Sequence, residues 1–280
     1  MSITTYGQAA RTRPGFIAPA VALFREILSR RWHIWVSFQQ DFVSTHAKTG
    51  LGQLWNYFVP LFPIAVYSTL AAVGFFPSRE GIPPGIYVPI GVTTYLLMVG
   101  TIRSPLQAVE RKHSLVAITS YPLIGAVIAS LGQLTFEFLV RFATILVIYA
   151  IVMKSVPWMA PATILVLVPA VIFSFSIGLA LSILNMIYPD ISRILQLILS
   201  YAIFISNAIF PVDRVKAFAP IGRYNPLAIF VDNVRHVFIF GELSSPIAYL
   251  IISFSGVLLL LLACRLFYVM EWRIRSYVIS

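Results

Sequence analysis

Long apolar runs, separated by short charged or proline-containing segments, make up most of the 280-residue chain. A helix needs roughly 20 residues to cross the hydrocarbon core of a bilayer. Six runs approach or exceed that length: 56–76, 86–102, 123–153, 161–184, 194–210 and 247–269. The pattern predicts an all-α integral membrane protein with six transmembrane helices, of which the second is short.

Composition and charge support this class and add a topology. The chain is 59% hydrophobic and only 11% charged, which excludes an ordinary soluble domain. If the N-terminus is cytoplasmic, thirteen Lys and Arg residues fall on the cytoplasmic side and six outside, while Arg141 lies within a span. This excess follows the positive-inside rule and places both termini in the cytoplasm. The net charge of +10 therefore reflects membrane topology, and we expect no nucleic-acid partner.

The segment before the first span has the pattern of an amphipathic helix. From Phe24 to Phe42, bulky apolar residues recur at spacings of three and four, and polar residues fill the other faces. Such a helix lies in the membrane interface, where Arg30 and Arg31 could receive an anionic lipid-linked substrate. A plain anchor is the alternative. We therefore divide the chain into a cytoplasmic N-terminal region, 1–55, and a transmembrane domain, 56–280.

A charged island, "RSPLQAVERKHS" at 103–114, separates the second and third apolar runs. Ser104 followed by Pro105 is a favourable start for a short helix, with the serine as N-cap and the proline in the first turn. The island predicts a short cytoplasmic helix that contacts another protein. A loop whose cations only enforce topology is the alternative.

Two further segments interrupt the spans. At 185–196, Pro189 marks a short cytoplasmic corner, and Asp190 is placed to cap the helix that follows.

The external segment 210–242 is too apolar for a free loop and too charged to cross lipid. We expect re-entrant half-helices packed against protein. Asn225 can cap a helix that begins at Pro226. Asp232 and Arg235, three residues apart, could pair with each other or with a second copy of the chain, as parts of an external gate.

Polar residues inside the spans form two patterns. Glu137 and Arg141, four residues apart, can pair along one helix face, either for function or for helix packing. A second pattern combines aromatic, amide and hydroxyl side chains and would suit sugars in a conduit, with ordinary helix packing as the alternative. It consists of Tyr57 and Tyr67 in the first run and of Gln196, Ser200, Phe204 and Asn207 in the fifth.

Motifs for catalysis and metal binding are missing from the sequence. The chain has no P-loop, no H-E-x-x-H and no D-x-D motif, and its four histidines are scattered. We therefore expect no catalytic residues, no metal site and no cofactor in this chain. Its one cysteine, Cys264, excludes an intrachain disulfide.

Several segments, in this order and spacing, resemble the transmembrane subunits of ATP-binding-cassette (ABC) exporters of cell-surface polysaccharides, such as O-antigen, capsule and teichoic acid. The resemblance covers nearly the whole chain from about Phe24. One departure is that family members usually carry one or more basic residues just before the L-G-x-L-W sequence, where only Lys48 is close in this chain. The segments are "TGLGQLW" (49–55), "SYPLIGAVIAS" (120–130), "YPDISRILQLIL" (188–199), "IFPVDRV" (209–215) and "YNPLAIFVDNVRHVFIFGE" (224–242).

The resemblance implies a homodimer in the bacterial inner membrane with two separate ATPase subunits, which bind ATP and Mg²⁺, and a lipid-linked polysaccharide as substrate. The island at 103–114 would be the coupling helix that contacts the ATPase. A permease for a drug or lipid is the alternative within the superfamily, and a membrane enzyme of glycolipid assembly is the third. The coupling residues would be Pro105, Leu106, Val109, Glu110, Arg111 and Asp190.

Overall fold

The structure, a computed structural model, describes residues 15–45, 49–76, 82–118, 122–210 and 219–279. These ranges form helices and turns, and contain no β-strand. Single 3₁₀ turns at Gly52–Leu54 and Ile203–Ile205 precede α3 and follow α7. The helices are α1 Ile17–Ser29, α2 Arg31–Ser44, α3 Trp55–Ala72, α4 Pro84–Ile118, α5 Leu123–Met153, α6 Ala160–Ile187, α7 Asp190–Ala202, α8 Ala219–Tyr224, α9 Pro226–Phe240 and α10 Pro246–Ile279.

Five of the described helices are long and apolar enough to cross a membrane, which makes the chain a multi-pass membrane protein. The second is much longer than predicted. The run 194–210 is not a single helix, because α7 ends at Ala202 and Asn207 has a positive φ of 57°. The five are Gly52–Ala72, Pro84–Arg111, Leu123–Met153, Ala160–Ile187 and Pro246–Glu271.

Both ends of the described chain meet at one end of the helix bundle, which we call the terminal end. Leu23 of α1 packs in one apolar cluster with Phe267 of α10, and the Arg265 guanidinium lies 4.5 Å from the centre of the Phe16 ring. Glu271 of α10 accepts a hydrogen bond from the Leu123 amide, at 3.2 Å, and so caps the start of α5.

Helix α7 leads away from this end along α4. It begins just after the C-terminus of α6, whose Ile183 belongs to the same terminal cluster. The Tyr95 hydroxyl of α4 donates to the carbonyl of Leu199 in the last turn of α7. Further on, Asn207 reaches the level of Tyr87, in the first turn of α4. The segment therefore runs from the terminal end to the opposite end.

Helix α9 is the centre of packing at the opposite end. Most of its side chains are buried, against α4 and α6 in particular. Phe238 makes edge-to-face contacts with Phe142 and Tyr149 of α5, with ring centres 5.8 Å and 5.6 Å apart. A helix that is apolar nearly all round is expected to be enclosed by protein or lipid, and α9 is enclosed by protein.

The predicted short helix starting at Ser104 is wrong in its boundaries. Helix α4 continues through this point, with Pro89 and Pro105 in its interior. The Ser104 hydroxyl does not cap a helix but hydrogen-bonds Ser130 of α5, at 2.6 Å. Membrane helices tolerate internal proline where neighbouring helices compensate, and here α5 packs along the same stretch.

Two other local predictions are also wrong. The amphipathic segment forms two helices, which meet at Arg30 (φ −110°, ψ 17°), rather than one. Asp190 is the first residue of α7 and not its cap. The amide that such a cap would serve, that of Ser192, instead donates to Asn185 Oδ1 at 2.9 Å.

Candidate functional site

The predicted gate residues Asp232 and Arg235 form an ion pair within the chain. Arg235 Nη1 lies 3.1 Å from Asp232 Oδ1, and the arginine is only 1% exposed. Its other donors reach backbone carbonyls: Nε contacts Tyr87 at 3.2 Å, and Nη2 contacts Asn207 at 2.8 Å and Ala208 at 3.1 Å. A buried charge must be paired and hydrogen-bonded to be tolerated, and this one is both.

Three neighbours complete this Arg235 network. The guanidinium also stacks on the ring of Tyr87, 3.7 Å from its centre. Asn207 donates from Nδ2 to the second Asp232 oxygen at 2.6 Å. Gly91 leaves room for the arrangement, since a Cβ there would overlap both Arg235 Nη2 and the Ala208 carbonyl oxygen. The network joins α9, the first turns of α4 and the turn after α7.

The predicted cap of α9 is confirmed. Asn225 Oδ1 accepts from the Leu227 amide at 3.0 Å, and Pro226 occupies the first helical position. The Asn225 amide also donates to the Ile205 carbonyl at 2.8 Å, which ties the start of α9 to the end of the α7 segment. Residues 211–218, which include Pro211 and Phe218 of the predicted external segment, lie outside the described residues.

The predicted conduit residues of the fifth run divide into two groups. Gln196, Ser200 and Phe204 are exposed along one side of the α7 segment. Asn207 is buried in the Arg235 network instead. The segment is attached to the bundle by the neighbouring side, where Leu199 and Ala202 are buried.

The two conduit tyrosines of α3 are also separated. Tyr57 is half exposed and contacts the Phe136 ring edge-to-face at 5.3 Å. Tyr67 is partly buried and lies 6.4 Å from the Phe76 ring, nearer the opposite end. Between them α3 exposes a further aromatic surface, with Phe62 71% exposed.

The predicted coupling residues differ in exposure. Pro105, Leu106 and Val109 are buried inside the chain. Glu110 and Arg111 are exposed on the next turn of α4. Asp190 is exposed too, at the start of α7, where it lies 3.5 Å from Arg193.

The residues predicted to admit a lipid-linked substrate lie where α1 meets α2. Arg31 is exposed, while Arg30 is partly buried at the break between the helices. Trp32 and Trp35 are exposed beside them, as expected of a helix in the membrane interface. Residues 1–14, with Arg11 and Arg13, lie outside the described residues.

The predicted pairing of Glu137 with Arg141 is confirmed, with Arg141 Nη2 3.0 Å from Glu137 Oε2. Arg141 Nε also donates to the Pro60 carbonyl at 3.3 Å, so the pair joins α5 to α3. Gln133 adds a long hydrogen bond to Glu137, at 3.4 Å. This supports the packing interpretation of the pair.

Sequence reasoning missed the residues whose roles depend on distant contacts. Gly91 and Tyr87 carry no local signal for binding Arg235. By contrast, Arg103, Ser104, Gln107 and Arg111 do recur at helical spacing along α4. That pattern becomes visible once the island is treated as a continuation of the second span.

Comparison with known families places this architecture. The family model of the ABC-2 type transporter matches residues 33–239, from the start of α2 to the end of α9. A search of curated proteins finds no match. The family match covers well over half of the chain and includes the interface helix, four of the five long helices and the buried α9. The chain therefore belongs to the ABC-2 type transporter family, as a membrane-spanning permease component.

Proposed function

We propose that this chain is the permease subunit of an exporter of lipid-linked cell-surface polysaccharide in a bacterial inner membrane. Family membership implies pairing with ATPase subunits. In the proposed assembly, two copies of the chain combine with two ATPase subunits, which carry ATP and Mg²⁺. The finer points, namely the substrate, the dimer and the topology, are argued below.

The exposed polar and aromatic side chains of α7 are the observation that supports a polysaccharide as the substrate. We call Gln196, Ser200 and Phe204 the polar face of the α7 segment; it lies next to the buried side and is exposed in a single chain. A hydrated glycan cannot cross hydrocarbon without partners for its hydroxyls. Aromatic rings and amides together satisfy the C–H faces and the hydroxyls of sugars. The polar face lies on the surface of a single chain, so a second copy has to complete the path.

The bundle geometry supports six crossings rather than five. Helix α1 and the end of α10 meet at the terminal end, which requires an even number of crossings between them. Five long helices supply an odd number. The segment Asp190–Asn207 supplies the sixth, since it runs along α4 to the opposite end and is about 27 Å long at helical rise. Both termini are then on the same side, which is the cytoplasmic side by the distribution of cations.

Helices α8 and α9 then form the re-entrant external element. They begin and end at the opposite end of the bundle, and the Arg235 network holds α9 to α4. In this arrangement α9 is the fixed wall of the exit. The Asp232–Arg235 pair does not bridge two copies, so a moving gate has to be formed by other residues at the dimer axis.

Cysteine accessibility tests the conduit in the full-length chain in membranes. In a Cys264→Ser background, cysteines replacing Gln196, Ser200 and Phe204 should react with a hydrophilic maleimide faster than cysteines replacing Ile194 and Ile198. The last two are 56% and 59% exposed in the single chain but lie on the aliphatic side of α7. They are therefore matched controls for exposure without polarity.

The aliphatic side of α7 favours the second candidate function, a permease for a lipid or an apolar drug. Ile194, Leu197 and Ile198 form an exposed apolar surface, which would suit such a cargo. Faster labelling of that side than of the polar face would contradict the polysaccharide conduit and support this alternative. In the host cell, loss of a polysaccharide exporter should also leave lipid-linked glycan on the inner leaflet.

A further inference from the structure

We propose that a phosphate group binds in a polar cavity between α2, α4 and α5, held by Arg103 and Arg111. The cavity has a volume of about 270 Å³, far above the roughly 10–15 Å³ that holds one water molecule. Its position is independent of the conduit and of the nature of the cargo. The lining residues are Asp41 and Thr45 of α2, Gly100, Arg103, Ser104, Gln107 and Arg111 of α4, and Ser130, Gln133, Leu134 and Glu137 of α5.

The spacing of the lining residues shows that α4 and α5 face each other through polar positions at the cavity. The five residues of α4 are spaced by three, one, three and four, so they lie on one face, and the four residues of α5 are spaced by three, one and three. Two membrane-spanning helices normally meet through apolar or small residues. Here Gly100 and Leu134 are in contact at one point, and the remaining positions are mostly polar or charged.

Arg103 brings hydrogen-bond donors to the cavity that no protein group in the described residues receives. Among the described residues, half-buried Arg103 makes no hydrogen bond or ion pair. Arg111 donates from Nε to the Gln107 carbonyl at 3.2 Å. An arginine fork with unused donors matches the oxygens of a phosphate in geometry and in charge.

The acidic groups in the lining do not cancel this preference. Glu137 is already paired with Arg141, 3.0 Å away. Asp41 is the second acidic group of the lining that also contains Arg103 and Arg111. The balance of charge therefore favours an anion, and Asp41 weakens the binding of that anion.

The setting of the cavity indicates two sources for the phosphate. Its α2 wall belongs to the amphipathic helix that carries exposed Trp32 and Trp35, and tryptophan is enriched at the level of lipid headgroups. Val109, which alternates with the cavity residues on α4, packs in the apolar cluster of the terminal end. A phospholipid headgroup and a soluble phosphate ester share the same chemistry, and the experiment separates them.

The test titrates the purified full-length chain, in a neutral detergent, with dioctanoyl phosphatidylglycerol. We expect Arg103→Gln and Arg111→Gln each to raise its Kd about tenfold, the effect of losing a charged hydrogen bond. Asp41→Asn should lower the Kd, because it removes a repelling charge. A purely structural role would not produce opposite changes. Arg25→Gln, an exposed α1 residue away from the cavity, should leave the Kd unchanged and serves as the control.

Competition identifies the source. Displacement of the lipid by millimolar glycerol phosphate, with an affinity equal to that of the lipid, assigns the site to soluble phosphate esters. Lipid binding that resists this competitor assigns it to a lipid headgroup. An unchanged Kd in both arginine variants, or weaker binding in Asp41→Asn, would overturn the proposal. Arg103→Lys, which keeps the charge, should bind better than Arg103→Gln and shows that the charge at position 103 contributes to binding.

Discussion

At the residue scale, the buried guanidinium of Arg235 joins three elements at the opposite end of the bundle: α9, α4 and the turn after α7. Its donors satisfy one carboxylate and three backbone carbonyls, two of which belong to the turn at Asn207 and Ala208. The positive φ of Asn207 is strained for a residue with a side chain. Its amide hydrogen bond to Asp232 compensates, so the turn after α7 and the helix α9 stabilise each other.

The first prediction concerns the glycine that makes this network possible. Gly91→Ala should displace Arg235 from the Ala208 carbonyl, because the added methyl group overlaps both. Disturbing a buried ion pair costs about 3 kcal/mol, which corresponds to a fall of roughly 10 °C in the unfolding midpoint for a chain of this size. Thermal unfolding in detergent measures the change.

Gly85→Ala is the matched control. It lies in the first turn of the same helix, and a Cβ there meets nothing within 4 Å. An equal effect of both substitutions would show that α4 is sensitive to alanine in general. The close approach of Arg235 would then not be the cause.

Residue-level predictions from sequence succeeded where the signal is local. Asn225 before Pro226 is a combination that both residue types favour at a helix start, and the cap is present. Glu137 and Arg141 pair because a spacing of four brings them together on any helix. The contact of Arg235 with Tyr87 spans 148 residues. No spacing rule could have predicted it.

At the element scale, the continuous α4 changes how the charged island is understood. Helix propensity places a boundary at Ser104 and Pro105, with a cost of about 3 kcal/mol for an interior proline. Tertiary packing outweighs that preference: Leu106 and Val109 are buried, and Ser104 binds Ser130 across the helix interface. If a partner protein displaces this island, the displacement therefore acts directly on a membrane-spanning helix.

The same reasoning explains why the α7 segment was predicted as a longer helix. Its apolar run continues to residue 210, but hydropathy carries no information about the left-handed residue at Asn207. Beyond α7, Asn225 and Arg235 donate hydrogen bonds to the carbonyls of Ile205, Asn207 and Ala208 and hold the chain in a turn. Those partners come from the following element, which the run itself does not reveal.

The second prediction concerns contact with the ATPase at this element. Glu110→Ala combined with Asp190→Ala should leave the chain inserted in the membrane but reduce copurification of a co-expressed ATPase subunit at least fivefold. Both acids are exposed on α4 and α7, and neither lines the polar cavity. A fivefold loss corresponds to about 1 kcal/mol, which two charged contacts at an interface can supply together.

Glu242→Ala is the control for a loss of negative charge. It is exposed beyond the end of α9, at the opposite end of the bundle. Copurification should be normal for this variant. Full retention of the ATPase by the Glu110 and Asp190 double variant would contradict the coupling role of both residues.

At the scale of the whole molecule, a single chain leaves much apolar and aromatic surface unpaired. Phe58 and Phe62 of α3 and Tyr201 of α7 are each more than half exposed. Lipid covers such surface without cost, whereas the polar face of α7 requires protein or water beside it. That difference is the physical reason to expect a second copy next to α7.

The last prediction concerns topology and separates six crossings from five. Alkaline phosphatase, which is active only outside the cytoplasm, should be inactive when fused after Ser280 and active when inserted at Val156, in the turn between α5 and α6. That turn lies at the opposite end of the bundle, where Lys154 has a positive φ and Val156 is 77% exposed. A fluorescent protein fused ahead of Met1 should fold and fluoresce, because the proposed topology keeps that end in the cytoplasm.

Five crossings would place Ser280 outside, and the fusion there would be active. Activity at Ser280 together with a fluorescent N-terminus would therefore show that the α7 segment turns back within the membrane, in conflict with the contacts that lead it from Ile183 to Tyr87 along α4.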